Sequence, residues 1–460
     1  MVCSNNVLSR KDTMYNGFLL RGYPEIFTPT PGEKISKRIK CKTITFQVTS
    51  GCNLKCSYCY EINKKNIVMD FPTAKKFVDN LLDNQYSNYG IDTDSTPAII
   101  FEFIGGEPFL AIDLIVEISD YIEQQLIEKK HPWLLFHRYS ISSNGTLYFD
   151  EKVQNYIARY KDLLSLNITV DGNKRLHDAC RLFPDGTGSY DVAHKAALDW
   201  KNKTGEAGSK ITLAPGNIQY ASEAIISYIE DGFTDIWANC VFEEGWNVEH
   251  AKVYYKEIKK IADYMLDNNL ASKVFISLLE FRNFRALNPE TENENWCGGT
   301  GVMLALDPKG LLFPCIRFME TSLGNDQKPL KIGSVDEPIG STEEYQENLQ
   351  QLEGVTRKSQ STEECFNCPI ARGCAWCSGY NYQKFGTVNK RATYICIMHK
   401  ALSLANVYYW NLYFKKENLP FVMPLNCPED WALQIISKEE FDFLKEISEK
   451  KEGYTDVTIV

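Results

Sequence analysis

The chain carries fifteen cysteines, and ten of them fall in spacings suited to metal chemistry. Cys52, Cys56 and Cys59 form C-x3-C-x2-C, flanked by Gly51 and by Tyr58 and Tyr60. A structural zinc site takes four ligands, and no fourth Cys or His lies nearby in sequence. That favours an iron–sulfur cluster with an unfilled position over zinc or three inert buried thiols. Three thiolates hold three irons of a [4Fe–4S] cube and leave the fourth open to a bidentate ligand, to which the cluster can pass one electron. The other seven run Cys297-x12-Gly310-x4-Cys315, then Cys365-x2-Cys368-x5-Cys374-x2-Cys377, then Cys396. Zinc also fits such spacings; beside the first group, iron is the metal expected.

These loops need a scaffold. From Thr43 onward short β-rich runs alternate with amphipathic helical stretches. The runs are ITFQV (44–48), AIIFEFI (98–104), FHRYSIS (136–142), LSLNITV (164–170), KITLA (210–214) and DIWANCV (235–241). Six βα units in a row imply an α/β fold with a parallel sheet and helices outside it. Ligand-binding groups in such folds collect at the carboxyl ends of the strands. Here those ends carry TSGCNLKCSYCYE, GGEP, SNGT, DG and APGN.

Residues 1–41, broken by Pro24, Pro29 and Pro31, read as an N-terminal extension. The βα core spans 42–270. The Cys- and Gly-rich 271–400 is expected to be held by metal clusters more than by a large apolar core. Residues 401–460 read as a helical tail.

Composition narrows the partners. At 460 residues with 44% hydrophobic, 24% charged and 12% aromatic content, the chain is globular and neither disordered nor fibrous. Lys and Arg total 50 against 60 Asp and Glu, a net charge of −10 with no long basic stripe, which disfavours an electrostatic grip on nucleic acid or anionic membrane. The start, MVCSNNVLSRKD, lacks a signal-peptide pattern, and no stretch approaches the roughly 18 apolar residues of a membrane span. A cytoplasmic protein is expected, and a reducing compartment keeps its thiols available for metals.

C-x3-C-x-Tyr-C after the first strand, with Gly105-Gly106-Glu107-Pro108 after the second, resembles the radical S-adenosylmethionine (radical SAM) superfamily. The likeness covers roughly residues 42–270 and implies a partial (β/α)6 TIM-like barrel. It further implies that SAM chelates the unique iron through its amino nitrogen and carboxylate. One-electron cleavage then gives methionine and a 5′-deoxyadenosyl radical that abstracts hydrogen. Cys52, Cys56 and Cys59 become the catalytic cluster ligands, and Tyr58 joins the cofactor-binding residues. GGEP lacks side chains at two positions, so backbone can approach a small ligand, while Glu107 can accept from a cationic amine. Ser142 and Asn144 in SISSNGT suit ribose hydroxyls or the methionyl carboxylate, against the alternative of a plain Asn144-Gly145 turn. The stretch Asp171-Gly172…His177-Asp178-x2-Arg181…Gly186-x-Gly188-Ser189 resembles peptide-modifying members. On that likeness Arg181 pairs with the SAM carboxylate, the alternative being a surface salt bridge, and His177 is a structural turn residue.

The second array resembles the SPASM domain, which carries two auxiliary [4Fe–4S] clusters. Its interleaved pattern implies Cys365, Cys368, Cys374 and Cys396 at a distal cluster and Cys297, Cys315 and Cys377 at a proximal one. The family's usual closing C-x3-C is here Cys374-x2-Cys377. No thiol stands between Cys297 and Cys315, so one proximal iron is open to a soft donor such as a substrate cysteine thiolate. The alternative is that Cys3, Cys41, Cys180, Cys240, Cys427 or water supplies a fourth ligand.

The expected activity is therefore maturation of a ribosomally made, Cys-containing precursor peptide by thioether crosslinking, with a flavodoxin or ferredoxin as reductant. Sulfatase maturation to formylglycine is the nearest rival. Its members resemble one another in an Asp after the second SPASM cysteine, where this chain has Ile316 and Arg317, neither of them a base at neutral pH. Peptide epimerisation, carbon–carbon crosslinking and a non-catalytic electron carrier complete the alternatives. The 41 leading residues are too few for a winged-helix leader-binding domain. Tyr408, Tyr409 and Trp410 suit either recognition or core packing.

Overall fold

The computed structural model describes residues 41–205, 208–295, 297–301, 303–450 and 452–457. It also gives the backbone of an antiparallel pair, Thr13–Tyr15 with Phe18–Leu20. The rest of the N-terminal extension, including Cys3, lies outside the described residues.

Strands β1 (Cys41–Thr49), β2 (Ala98–Gly105), β3 (His137–Ser143) and β4 (Leu164–Ile168) pair in parallel in that order. Strands β5 (Gly208–Leu213), β6 (Asp235–Cys240) and the short β7 (Phe275–Ile276) form a second parallel ladder. The six expected strands are present, but in two ladders. A side chain helps join them: the Thr212 amide donates to Asp171 Oδ1 at 2.9 Å.

Alternation along β1 sends Ile44, Phe46 and Val48, all fully buried, to one face and Thr45 and Gln47 to the other. Helices α1 (Phe71–Leu82), α2 (Ile112–Glu128), α3 (Glu151–Tyr160), the short α4 (Lys174–Asp178), α5 (Tyr190–Thr204), α6 (Ala221–Glu230) and α7 (Val248–Asp267) follow the strands. Helix α1 shows why they form. Asp70 caps it by accepting from the Thr73 amide, Pro72 sits in the first turn, and Ala74, Phe77, Val78 and Leu81 fall on one buried stripe. Phe77 meets Phe46 edge-on at 5.2 Å. Each such buried side chain contributes about 1.5–3 kcal/mol.

The Cys-rich segment does not stand apart. Strand β8 (Met303–Leu306) pairs in parallel with β1, from Met303↔Thr43 to Leu306↔Phe46. Strands β9 (Leu311–Phe313) and β10 (Gly333–Ser334) return antiparallel, giving the order β10-β9-β8-β1-β2-β3-β4. Gly310 makes the β8–β9 turn at φ +82, a conformation that favours glycine. Leu304, Leu306, Leu312, Phe318 and Leu323 are fully buried. This region therefore has an apolar core as well as its cysteines, because its strands extend the barrel sheet.

Helix α8 (Ser378–Phe385) follows Cys377. The long α9 (Cys396–Lys416) packs on α7. Tyr409 and Trp410 are buried, and the Trp410 indole donates to the Leu279 carbonyl at 3.0 Å, so these aromatics are core packing. Among the described residues no helix is long and apolar enough to cross a membrane.

Candidate active site and iron–sulfur centres

The Cys52–Cys59 loop leaves the carboxyl end of β1 and is stitched down on two sides. The Glu107 amide donates to the Gly51 carbonyl at 2.9 Å and the Gly106 amide to the Thr49 carbonyl at 3.2 Å. Opposite, the amides of Lys55 and Ser57 donate to the carbonyls of Leu182 and Cys180 at 2.7 and 3.0 Å. A Cβ on Gly105 would lie 2.2 Å from the Thr49 oxygen, and one on Gly106 would lie 2.2 Å from the Gly51 oxygen and 2.7 Å from Cys52 Cβ. The close approach expected at GGEP is therefore an approach to the cysteine loop itself. Gly106→Ala should push Cys52 out of place, costing about 1–3 kcal/mol as overpacking does. A lower melting temperature together with reduced iron in the anaerobically reconstituted protein checks this.

Glu107 also departs from expectation. It is fully buried, accepting from Asn144 N at 2.7 Å, Ser143 Oγ at 2.8 Å and Phe109 N at 3.1 Å. Burial, opposed by these donors, pushes its carboxyl up to about 7. Its three protein donors make it a brace between the GGEP and SNGT loops. Pro108 opens the short 3₁₀ turn that Glu107 caps.

Asn144 takes the turn role. Its amide nitrogen donates to Asn53 Oδ1 at 2.8 Å, and its oxygen accepts from Thr146. It thus ties SNGT to the cysteine loop. Ser142 is half-buried on β3 opposite Asn167, and the serine in the loop network is its neighbour Ser143.

Arg181 lies against the cluster loop. Its Nε donates to the fully buried Asp171 at 2.9 Å, its Nη1 lies 3.9 Å from Cys56 Sγ, and its guanidinium sits 5.4 Å from the Tyr58 ring centre. The Tyr58 hydroxyl donates to the same Asp171 oxygen. Asp171 thereby holds Arg181, Tyr58 and strand β5 at once. Asp171→Asn leaves Arg181 buried without its counter-charge and should cost about 3–5 kcal/mol, read by denaturant unfolding of the apo-protein. His177 is buried, with Nε2 2.9 Å from Ser189 Oγ, and burial pushes it down to about 4, consistent with a neutral structural role.

The thiols fall in three neighbourhoods. Burial pushes Cys56 up to about 11, opposed by Arg181 and reinforced by the nearby Cys59 and Cys52. Lys64 stands close to Cys59 and Cys52 as a second cation. Cys315 is raised by burial and then by Cys377 and Cys297. Cys374 is raised by burial, with Cys396 and Cys365 close, and Cys368 likewise feels Cys374 and Cys365. Buried, clustered thiols backed by cations fit a multinuclear cluster, since an arriving metal replaces the solvation they lack. Among the described residues no three His, Cys, Asp or Glu side chains converge tightly enough for a single metal ion.

Of the spare cysteines, Cys180 lies under the first loop and accepts from Asn217 at 3.6 Å; Cys240 is buried near Tyr254. Cys427 sits by Cys368 and Cys396. Cys41 starts β1, two residues before the partner of Met303, which sets it beside the Cys297–Gly301 turn.

Arg317 connects the first and proximal groups. It pairs with Glu243 at 3.0 Å and lies 4.9 Å from the Tyr60 ring and 5.7 Å from that of Tyr380. A cavity of about 670 Å³ opens beside β5 and β6, lined by Lys210, Trp237 and Asn239 and reaching Gly373 and Ala375 of the Cys-rich segment. The sequence reading missed Asn53, Lys64 and Glu243, and it used Asp171 only as part of a motif; their roles depend on partners distant along the chain.

A family model described as a 4Fe-4S single cluster domain matches residues 41–179. An uncharacterized protein, MJ0907 of Methanocaldococcus jannaschii, is 32% identical over 198 residues, 42% of this chain and 61% of its own length. A cysteine-type anaerobic sulfatase-maturating enzyme of Clostridium perfringens is 22% identical over 71% of this chain and 85% of its own. The subtilosin biosynthesis protein AlbA of Bacillus subtilis is 25% identical over 61% of this chain and 56% of its own. The solved structure of native anSMEcpe with bound AdoMet and Kp18Cys peptide superposes with a TM-score of 0.56 at 18% identity, covering 82% of this chain and 98% of that one, a shared fold. In fold and cysteine arrangement the chain is similar to radical SAM-type iron–sulfur enzymes. Within that class the relatives it resembles include a sulfatase-maturating enzyme and a bacteriocin biosynthesis protein.

Proposed function

We propose that this enzyme modifies a ribosomally made, Cys-containing precursor peptide by forming thioether crosslinks. Cys52, Cys56 and Cys59 hold the first cluster, which binds SAM and supplies the 5′-deoxyadenosyl radical. The Nη edge of Arg181 not used by Asp171 faces this loop and would take the SAM carboxylate. Tyr58 and Asp171 fix that fork in place. The reductant is a one-electron carrier of the flavodoxin or ferredoxin class.

One observation carries the thioether reading. Cys297, Cys315 and Cys377 gather into a group of three, while the distal group has four. A substrate thiolate fits the remaining proximal corner as a soft donor. Hydrogen abstraction from a nearby residue and S–C bond formation would then return one electron to the protein. The cavity beside Lys210 and Trp237 offers room for a peptide segment.

A second reading, oxidation of a Cys or Ser to formylglycine, gains support from Glu243. It is a carboxylate held beside Arg317, close to where that chemistry needs a base. The sulfatase-maturating relative supports it too.

Anaerobic incubation of reconstituted enzyme with SAM, reductant and a Cys-rich precursor separates the two by mass spectrometry. A peptide that loses a pair of hydrogens per bridge, keeps its sulfur and resists thiol alkylation supports the thioether. Loss of sulfur with a new aldehyde supports formylglycine. Solvent deuterium incorporation without loss of mass from the protonated peptide would point to epimerisation and overturn both.

A further inference from the structure

The distal cysteines are ringed by donors that have nothing to donate to. Arg357 is 8% exposed, yet its Nε and Nη1 have no hydrogen-bond partner among the described residues. The same holds for the buried indole nitrogen of Trp376, which lies in sequence between Cys374 and Cys377. The two guanidiniums of Arg357 and Arg391 flank the Trp376 ring at 4.7 and 4.9 Å. Arg391 donates to the carbonyls of Cys374 and Ala375 at 2.8 and 3.3 Å, which pins it to the cysteine loop. Neither arginine makes an ion pair among the described residues.

Burying the Arg357 charge with free N–H groups beside a second, half-buried guanidinium is costly unless an anion shares the space. Burial and Arg391 push Arg357 down to about 10, opposed by Cys374, by the Glu292 carboxylate, which is itself paired with Arg285 and Arg372, and by Cys365. A cluster held by four thiolates is such an anion, and its sulfurs accept hydrogen bonds. The proximal group differs, because its arginine, Arg317, is already neutralised by Glu243.

We infer that Arg357, Trp376 and Arg391 form a cationic, hydrogen-bonding cage for the distal cluster that raises its reduction potential above that of the proximal one. Donors and positive charge stabilise the reduced, more negative state. In the proposed reaction Cys297, Cys315 and Cys377 would hold the cluster that receives the substrate's electron, and the cage would draw that electron on to the group held by Cys365, Cys368, Cys374 and Cys396, from which an oxidised flavodoxin- or ferredoxin-class carrier would take it. This last use rests on the thioether reading; the potential itself does not.

The test is a redox titration followed by electron paramagnetic resonance in a Cys56→Ala background, which removes the signal of the first cluster. Arg357→Gln should lower the reduced-to-oxidised ratio of the distal signal about tenfold at fixed solution potential, a shift of about 59 mV for a one-electron couple. Trp376→Phe, which removes the N–H along with the pyrrole half of the indole and keeps a six-membered aromatic face, should shift it in the same direction. Arg357→Lys should recover part of the Gln loss. Unchanged midpoints with full distal iron overturn the inference. So does loss of distal iron in both Arg357→Gln and Trp376→Phe, which would assign the cage a structural role only. Neither SAM nor peptide is needed, so a shifted midpoint leaves this inference standing whatever the enzyme does to its peptide; absence of crosslinking in a separate assay with Cys56 in place counts against the thioether reading alone.

Discussion

Cys56→Ala is expected to stop formation of 5′-deoxyadenosine from SAM, to below about a thousandth of the parental rate, or about 4 kcal/mol of lost barrier reduction. Cys56 is the middle ligand of its loop and the one whose sulfur lies 3.9 Å from Arg181 Nη1. Without it two thiols remain, Cys52 and Cys59, and a cube with two uncoordinated corners has lost both an anchor and the single open iron that SAM needs. The fold should survive. The loop is held by the backbone bonds of Gly51, Lys55 and Ser57, and Ala fits wherever a half-buried thiol did. Chromatographic assay of deoxyadenosine checks the chemistry. Iron analysis should show one cluster lost and the auxiliary iron retained. Deoxyadenosine at the parental rate would remove the first loop from catalysis.

What the sequence made legible was local. Short β-rich runs located all six strands, and spacing alone singled out the Cys52, Cys56 and Cys59 loop, because both signals lie within a few residues. Partnerships across long sequence distances were not legible. Strand β8 has four residues and pairs with β1 some 260 positions earlier, so nothing near Met303 announces that the Cys-rich segment extends the barrel sheet. The break between β4 and β5 was hidden for a similar reason, since the side chain of Asp171 takes part in the join. The glycines at 105 and 106 were read as letting backbone approach a small ligand; the contact that excludes a Cβ there is with the Thr49 and Gly51 carbonyls, which lie far off in sequence. Glu107 was read as a ligand group because a loop carboxylate can accept from a cationic amine. Its three protein donors come from two different turns and could not be foreseen.

Cys377→Ala should separate the two halves of the reaction. SAM cleavage is expected to stay within about twofold, while crosslinked peptide falls by at least about a hundredfold, near 3 kcal/mol. Cys377 caps helix α8, its sulfur accepting from the Tyr380 amide at 3.4 Å, and it shares its surroundings with Cys297, Cys315 and Arg317. Removing it leaves two proximal thiols, too few to hold a cluster and position a substrate thiolate. The first cluster, on a different loop, keeps its ligands. The radical is then made but its product is not captured, so deoxyadenosine accumulates in excess over modified peptide. Because the cap bond contributes only about 1 kcal/mol, global unfolding does not account for such uncoupling. Comparison with Cys41→Ala sharpens the result, since Cys41 starts the strand beside the Cys297 turn. If substrate fills the open corner, Cys41→Ala crosslinks normally. If Cys41 fills it, that variant alters the proximal cluster's paramagnetic spectrum, and the thioether reading loses the vacancy on which it depends. Crosslinking retained in Cys377→Ala would refute the assignment of these three cysteines to one site.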